Sequence, residues 1–187
     1  PEEAPAAEEA PVKGKEFPDV QFKGNSKYRP PLVTELAGRR FHLCMDNGEE
    51  GTLFFLTGED VMWAPKGEPS RTDPYECAKV DEDTYFVNIE LENYKPRTCI
   101  TLILDLEQDL VTALFAVQGK NKKFPILVDN EFVFGAIKIE GKELPTVRHG
   151  FTSDLVGTRI RWRYTDSFAL THIYCDANYL RAPGPKP

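Results

Sequence analysis

From about Leu36 onward, hydrophobic and polar residues alternate along most of this chain with a period of two. That period places successive side chains on opposite faces of an extended backbone, so it predicts strands rather than helices. The pattern predicts strands near residues 39–46, 51–57, 60–64, 75–80, 84–92, 97–106, 110–118, 126–128 and 132–140. Turn-forming clusters separate them: Asp46-Asn47-Gly48, Thr57-Gly58, Asp81-Glu82-Asp83, Glu107-Gln108-Asp109 and Gln118-Gly119-Lys120-Asn121. Short strands with tight turns and almost no helical periodicity indicate an all-β chain, either an up-and-down antiparallel barrel or a sandwich. Closure removes exposed strand edges, which favours the barrel. A lipocalin-like barrel of about eight to ten strands leaves an interior able to hold one small ligand.

Two regions depart from this pattern. Residues 1–31 begin PEEAPAAEEAP, rich in Pro, Ala and Glu with no apolar face to bury, and are expected to be a disordered or extended arm. Phe17, Phe22 and Tyr28 could pin such an arm to the barrel. At the other end the chain repeats itself. Glu35-Leu36-Ala37-Gly38-Arg39-Arg40-Phe41 is echoed by Asp154-Leu155-Val156-Gly157-Thr158-Arg159-Ile160, and Trp63-Ala64-Pro65 by Arg181-Ala182-Pro183. The organisation expected is an arm (1–31), a barrel (32–150) and a truncated second repeat (151–183). Two or three strands are not stable alone in water, so this repeat should pack on the barrel, complete it, or pair with another chain.

The segments Leu36-Ala37-Gly38-Arg39-Arg40-Phe41, Thr72-Asp73-Pro74-Tyr75-Glu76 with Thr84-Tyr85-Phe86-Val87, and Asp154 to Arg159 with Trp162, Tyr164, His172, Ile173 and Tyr174 resemble the MoaF family, named after molybdenum cofactor biosynthesis protein F. The resemblance implies two lipocalin-like units, of which the second is cut short here. The residues themselves offer no molybdopterin chemistry, since neither GxGxxG nor GxxxxGK[ST] occurs. A more distant resemblance is to phenolic acid decarboxylases, whose first strand carries Tyr-x-Tyr before an acidic–Asn–Gly turn. Leu43 and Met45 stand in those two positions before Asp46-Asn47-Gly48, so that activity is not expected.

Composition narrows the partners. Hydrophobic residues make up 41% of the chain and charged residues 28%, enough for a core and a solvated surface. A formal net charge of −7 and no Lys/Arg run argue against nucleic acid, which needs a basic face. Arg159, Arg161 and Arg163 alternate with Ile160, Trp162 and Tyr164 and read as one outer strand face. No stretch approaches the ~20 apolar residues that span a bilayer. No signal peptide is visible, which makes the cytoplasm the expected compartment, with a leader removed ahead of Pro1 as the alternative. Cys44, Cys77, Cys99 and Cys175 form no CxxC pair and no zinc spacing; they read as buried thiols, with disulfides open.

Several residues could carry chemistry inside such a barrel. His172 and Tyr174 lie two apart on one strand, so they share a face. By the repeat alignment they occupy the positions of Phe54 and Leu56, putting a general acid or base and a phenol donor at an apolar site. Glu90 could point into the cavity as a proton shuttle. Trp63, Tyr75, Phe86 and Phe115 could form an aromatic wall, Arg71 in the loop 66–74 could meet an acidic ligand group, and Thr101 could line the pocket. His42, His149 and His172 form no HxH or HExxH, so neither a metal nor any other cofactor is expected. The function expected is a barrel that binds a small hydrophobic or aromatic molecule, either as a cofactor-free cyclase, isomerase, lyase or decarboxylase or as a non-catalytic carrier. A homodimeric assembly module with a vestigial pocket is the third reading.

Overall fold

The computed structural model describes residues 28–119 and 128–183. Most of the arm expected over 1–31, and most of the short strand expected near 126–128, lie outside these residues. The alternating segments form β1 (Arg40–Met45), β2 (Glu50–Phe55), β3 (Asp60–Pro65), β4 (Arg71–Asp81), β5 (Thr84–Leu91), β6 (Thr98–Asp105), β7 (Leu110–Gln118) and β8 (Val128–Lys138). Each strand pairs antiparallel with the next, and β1 pairs with β8, so the sheet closes into an eight-stranded barrel, consistent with a lipocalin-like architecture. Among the described residues, no helix is long and apolar enough to cross a membrane.

Two elements differ from their predicted bounds. The polar run Asp129-Asn130-Glu131, which falls between the strands expected near 126–128 and 132–140, pairs with Val117, Ala116 and Phe115 and so belongs to the single strand β8. Likewise β4 starts at Arg71 rather than near residue 75. Pro74 is tolerated because the start of β4 pairs only with β3, through Asp60↔Pro74; pairing with β5 begins at Tyr75↔Ile89. Closure also depends on Gly135, opposite Met45. A Cβ there would stand 2.6 Å from the Cys44 carbonyl oxygen, so only glycine lets β8 approach β1 this closely.

Alternation fills the interior with one face of every strand. On β5, Tyr85, Val87, Ile89 and Leu91 are buried inside, while Phe86, Asn88 and Glu90 face out. Leu36, fully buried, plugs one end beside the Phe41, Phe55 and Tyr75 rings. Phe55 meets Phe41 at 5.9 Å and Tyr75 at 4.9 Å, both edge to face. Outside this plug, Glu35 accepts hydrogen bonds from the Tyr85 hydroxyl at 2.8 Å and Lys79 Nζ at 3.1 Å.

After β8 the chain runs back along the barrel. Lys142 bonds to Asp109, Arg148 Nε donates to Asp46 at 2.8 Å, and the Phe151 ring packs on Phe132 and Phe134 at 5.4 and 5.3 Å. His149 Nδ1 lies 2.8 Å from Thr112 Oγ1, and its Nε2 lies 3.6 Å from Asp105. The chain then forms a separate three-stranded sheet of β9 (Arg159–Arg163), β10 (Ala169–Asp176) and β11 (Tyr179–Arg181). The barrel closes without this sheet, so the second repeat does not complete it.

The repeat is structural down to single hydrogen bonds. Gly38 N donates to Phe55 O at 2.7 Å, and Gly157 N to Tyr174 O at 2.8 Å. Phe55 N donates to Arg39 O at 3.0 Å, and Tyr174 N to Thr158 O at 3.1 Å. Both glycines take positive φ, 80° and 81°, where a side chain would be strained. Strand register agrees too: Phe41↔Leu53 matches Ile160↔His172, and Phe55↔Val61 matches Tyr174↔Leu180. His172 therefore stands where the first unit has Leu53, and Tyr174 where it has Phe55. The alignment that put them at Phe54 and Leu56 is out of step by one residue, and one residue exchanges the two faces of a strand.

Candidate functional site

Among the described residues, the other end of the barrel is open. A cavity of about 460 Å3 enters there, within the range that suits a small organic ligand. Its wall is apolar: Leu43, Leu53, Ile89, Leu91, Ile100, Leu102, Ala113 and Phe115 line it, with Met45 and Trp63. These residues alternate with outward-facing ones on β1, β2, β3, β5, β6 and β7, so the cavity follows directly from the pleat. Its polar and ionisable lining groups, Glu49, Glu50, Lys66, Glu68 and Tyr94, stand on or next to the turns between β1 and β2, β3 and β4, and β5 and β6.

Pairing at this rim is specific. Lys66 Nζ donates to Glu50 at 2.9 Å; that bond holds the Glu50 carboxyl below its ordinary range and lifts the Lys66 ammonium above its own. Arg71 bonds to the Tyr94 hydroxyl while its guanidinium lies 4.9 Å from the ring centroid, fixing the phenol at the mouth. The Trp63 indole Nε1 is buried and, among the described residues, has no hydrogen-bond partner. Among the described residues, no three His, Cys, Asp or Glu side chains come together as metal ligands.

The candidates from the sequence separate on this geometry. Trp63 and Phe115 line the cavity. Arg71 stands at its rim, as the first residue of β4 rather than in a loop. Tyr75 is inside the barrel but at the plugged end, its hydroxyl donating to Thr57 O at 3.0 Å; burial raises its pKa. Glu90, Thr101 and Phe86 do not face the cavity. The apolar set on β5 and β6 packs inward, which turns these three outward. Glu90 pairs with Arg97, Thr101 donates to Asn88 Oδ1 at 3.1 Å, and Phe86 lies 42% exposed in an outer groove with Arg29 and Leu32. His172 and Tyr174 lie on β10, outside the barrel, with ring centroids 6.2 Å apart.

Sequence reasoning missed Tyr94 and Lys66. The available signal was an aromatic ring inside the otherwise polar turn Glu92-Asn93-Tyr94-Lys95. It also missed Thr112, His149 and Asp105, a hydroxyl, an imidazole and a carboxylate in sequence of contact. These stand on the outside or at the plugged end, contribute nothing to the cavity lining, and clamp the segment after β8.

An eight-stranded closed antiparallel barrel with an apolar cavity and a polar rim is consistent with a lipocalin-like architecture. The family model for the MoaF N-terminal domain matches residues 17–119, and the chain belongs to the MoaF family. That match takes in β1 to β7 and stops short of β8 and the three-stranded sheet. No curated protein matches the chain at a significant level.

Proposed function

We propose that the barrel binds one small, largely apolar molecule, with the apolar body in the cavity and any polar end at the rim. The observation that carries this reading is the segregation of the lining: aliphatic and aromatic side chains form the wall, and the ionisable groups sit at the mouth. An apolar wall supplies burial energy without asking a ligand to leave polar groups unpaired. The buried Trp63 N–H adds one donor that a ligand carbonyl or ether oxygen would satisfy. Binding is favoured over catalysis because the titratable residues proposed for proton transfer, His172, Tyr174 and Glu90, are outside the cavity.

Intrinsic fluorescence tests this. The chain has two tryptophans, Trp63 in the cavity and Trp162 on β9. In a Trp162→Phe variant, titration with a neutral anilinonaphthalene probe should change Trp63 emission saturably at one probe per chain. Native mass spectrometry would then identify what co-purifies. A probe that leaves Trp63 emission unchanged, together with an empty protein by mass, would overturn the reading.

A further inference from the structure

The strand register puts Arg71 on the inner face of the barrel, at its mouth. Arg71 is the first residue of β4 and stands directly opposite Trp63 on β3. Residues paired in this way carry their side chains on the same face, and Trp63 lines the cavity. Along β4, Arg71 also shares its face with Asp73, Tyr75 and Cys77, all buried. The inner face of β4 therefore ends in a guanidinium where the barrel opens.

That guanidinium has no carboxylate partner among the described residues, whereas Lys66 pairs with Glu50, Lys79 with Glu35 and Arg97 with Glu90. Arg71 instead bonds to the Tyr94 hydroxyl and lies over its ring, contacts that hold the side chain in place without neutralising it. Most of its N–H donors remain available. Tyr94 lines two adjoining hollows, the apolar cavity and a polar cleft that also takes in Arg71, Asp73, Asn93 and Lys95. In the cleft two cations face one carboxylate, and that carboxylate, Asp73, is buried and accepts the Glu92 backbone N–H at 3.2 Å.

We propose that the ligand is an amphipathic carboxylate, its apolar body in the cavity and its carboxylate in the cleft on Arg71. The inference rests on the reading of the cavity as a ligand site and names the class of ligand. A planar guanidinium matches a carboxylate through parallel N–H donors, which a compact ammonium cannot do. The apolar wall keeps the head at the mouth, because a charge carried deeper would be buried unpaired. The mouth also favours a single negative charge. Lys66 neutralises Glu50, but Glu49 and Glu68 stand at the rim as well and would repel a second charge on the ligand. A monocarboxylate therefore fits better than a dicarboxylate or a phosphate monoester.

Calorimetric titration of the full chain at neutral pH with decanoate, decanol and decylammonium, equal in chain length and different in head, tests this. Decanoate should bind about tenfold more tightly than decanol, as a charge-assisted hydrogen-bonded pair provides, and more tightly than decylammonium. Arg71→Gln should erase the advantage of decanoate over decanol, and Arg71→Lys should restore only part of it. Decanoate binding no more tightly than decanol or decylammonium, or an advantage that survives Arg71→Gln, would overturn the inference and leave the cavity as a ligand site. If none of the three binds, both the inference and the reading of the cavity fail. Should Arg71→Gln not fold, salt decides on the unmodified protein. Arg71 is exposed to solvent, so the advantage of decanoate should shrink as ionic strength rises; an advantage indifferent to salt would count against Arg71.

Discussion

Replacing Ala113 with Phe distinguishes an open cavity from a filled core by the sign of the stability change. Ala113 lies on β7 in register with Leu102 and Val133, is 2% exposed, and forms part of the cavity wall. Its small side chain leaves room in front of it. If that room is the cavity of about 460 Å3, the new ring enters empty apolar space. Burying a phenyl group is worth about 1.5–3 kcal/mol. For a chain of this size each kcal/mol moves the midpoint by roughly 2–4 °C, so the variant should melt about 5 °C higher. If the interior were instead close-packed, the ring would force neighbours off their rotamers at a cost of about 1–3 kcal/mol, and the midpoint would fall. The gain in stability should come with a loss of binding. The ring occupies ligand space, so affinity for the anilinonaphthalene probe should drop at least tenfold, about 1.4 kcal/mol. The assays are thermal melting by circular dichroism and probe titration. A lower midpoint, or a higher one with undiminished probe affinity, would refute the cavity as the binding site.

Three further outcomes follow from named contacts. Gly135→Ala places a Cβ against the Cys44 carbonyl at the β1–β8 seam and should destabilise the barrel by about 1–3 kcal/mol in denaturant unfolding, since the obstacle is backbone. The buried Asp105 is pushed up by desolvation, but hydrogen bonds from the Gln108 backbone and side chain and from His149 outweigh this and hold its carboxyl below its ordinary 3.8. Its contribution is therefore present above that pH and lost as the pH falls through the depressed value; Asp105→Asn should destabilise the protein at neutral pH and flatten the acid side of a stability–pH curve. Burial lifts the Cys77 thiol from 9.0 to about 11, whereas Cys175 is exposed, so a thiol reagent at mildly alkaline pH should label Cys175 promptly and Cys77 last. Early labelling of Cys77, read by peptide mass, would contradict its placement inside β4.

Strand alternation is a local signal, and what it can reveal has a definite reach. It located all eight barrel strands, because each side chain of β5 or β6 declares its face by its neighbours. It could not say which face was inside. Glu90 shares β5 with four apolar residues, and only the closure of β1 onto β8 makes their side the interior and Glu90's the exterior. Closure is a contact between residues some ninety positions apart, invisible to any window of the sequence. The same limit explains the repeat. The Leu–x–Gly–x–Arg motif revealed it correctly, because the positive φ of Gly38 and Gly157 is written in the residue type. The Ala-Pro echo carries no such constraint; its spacing is one residue shorter, the same offset that separates Phe54 and Leu56 from Leu53 and Phe55 as counterparts of His172 and Tyr174. In that register the two side chains lie outside the cavity of the first barrel. They lie on β10 beside Trp162, in the positions that Leu53 and Phe55 hold in the first unit. The chemistry-bearing residues of this chain are thus divided between two surfaces. The cavity has the size and apolar lining of a ligand site, with its ionisable groups, the Glu50–Lys66 pair among them, confined to the rim, and the three-stranded sheet carries the aromatic rings of the second repeat.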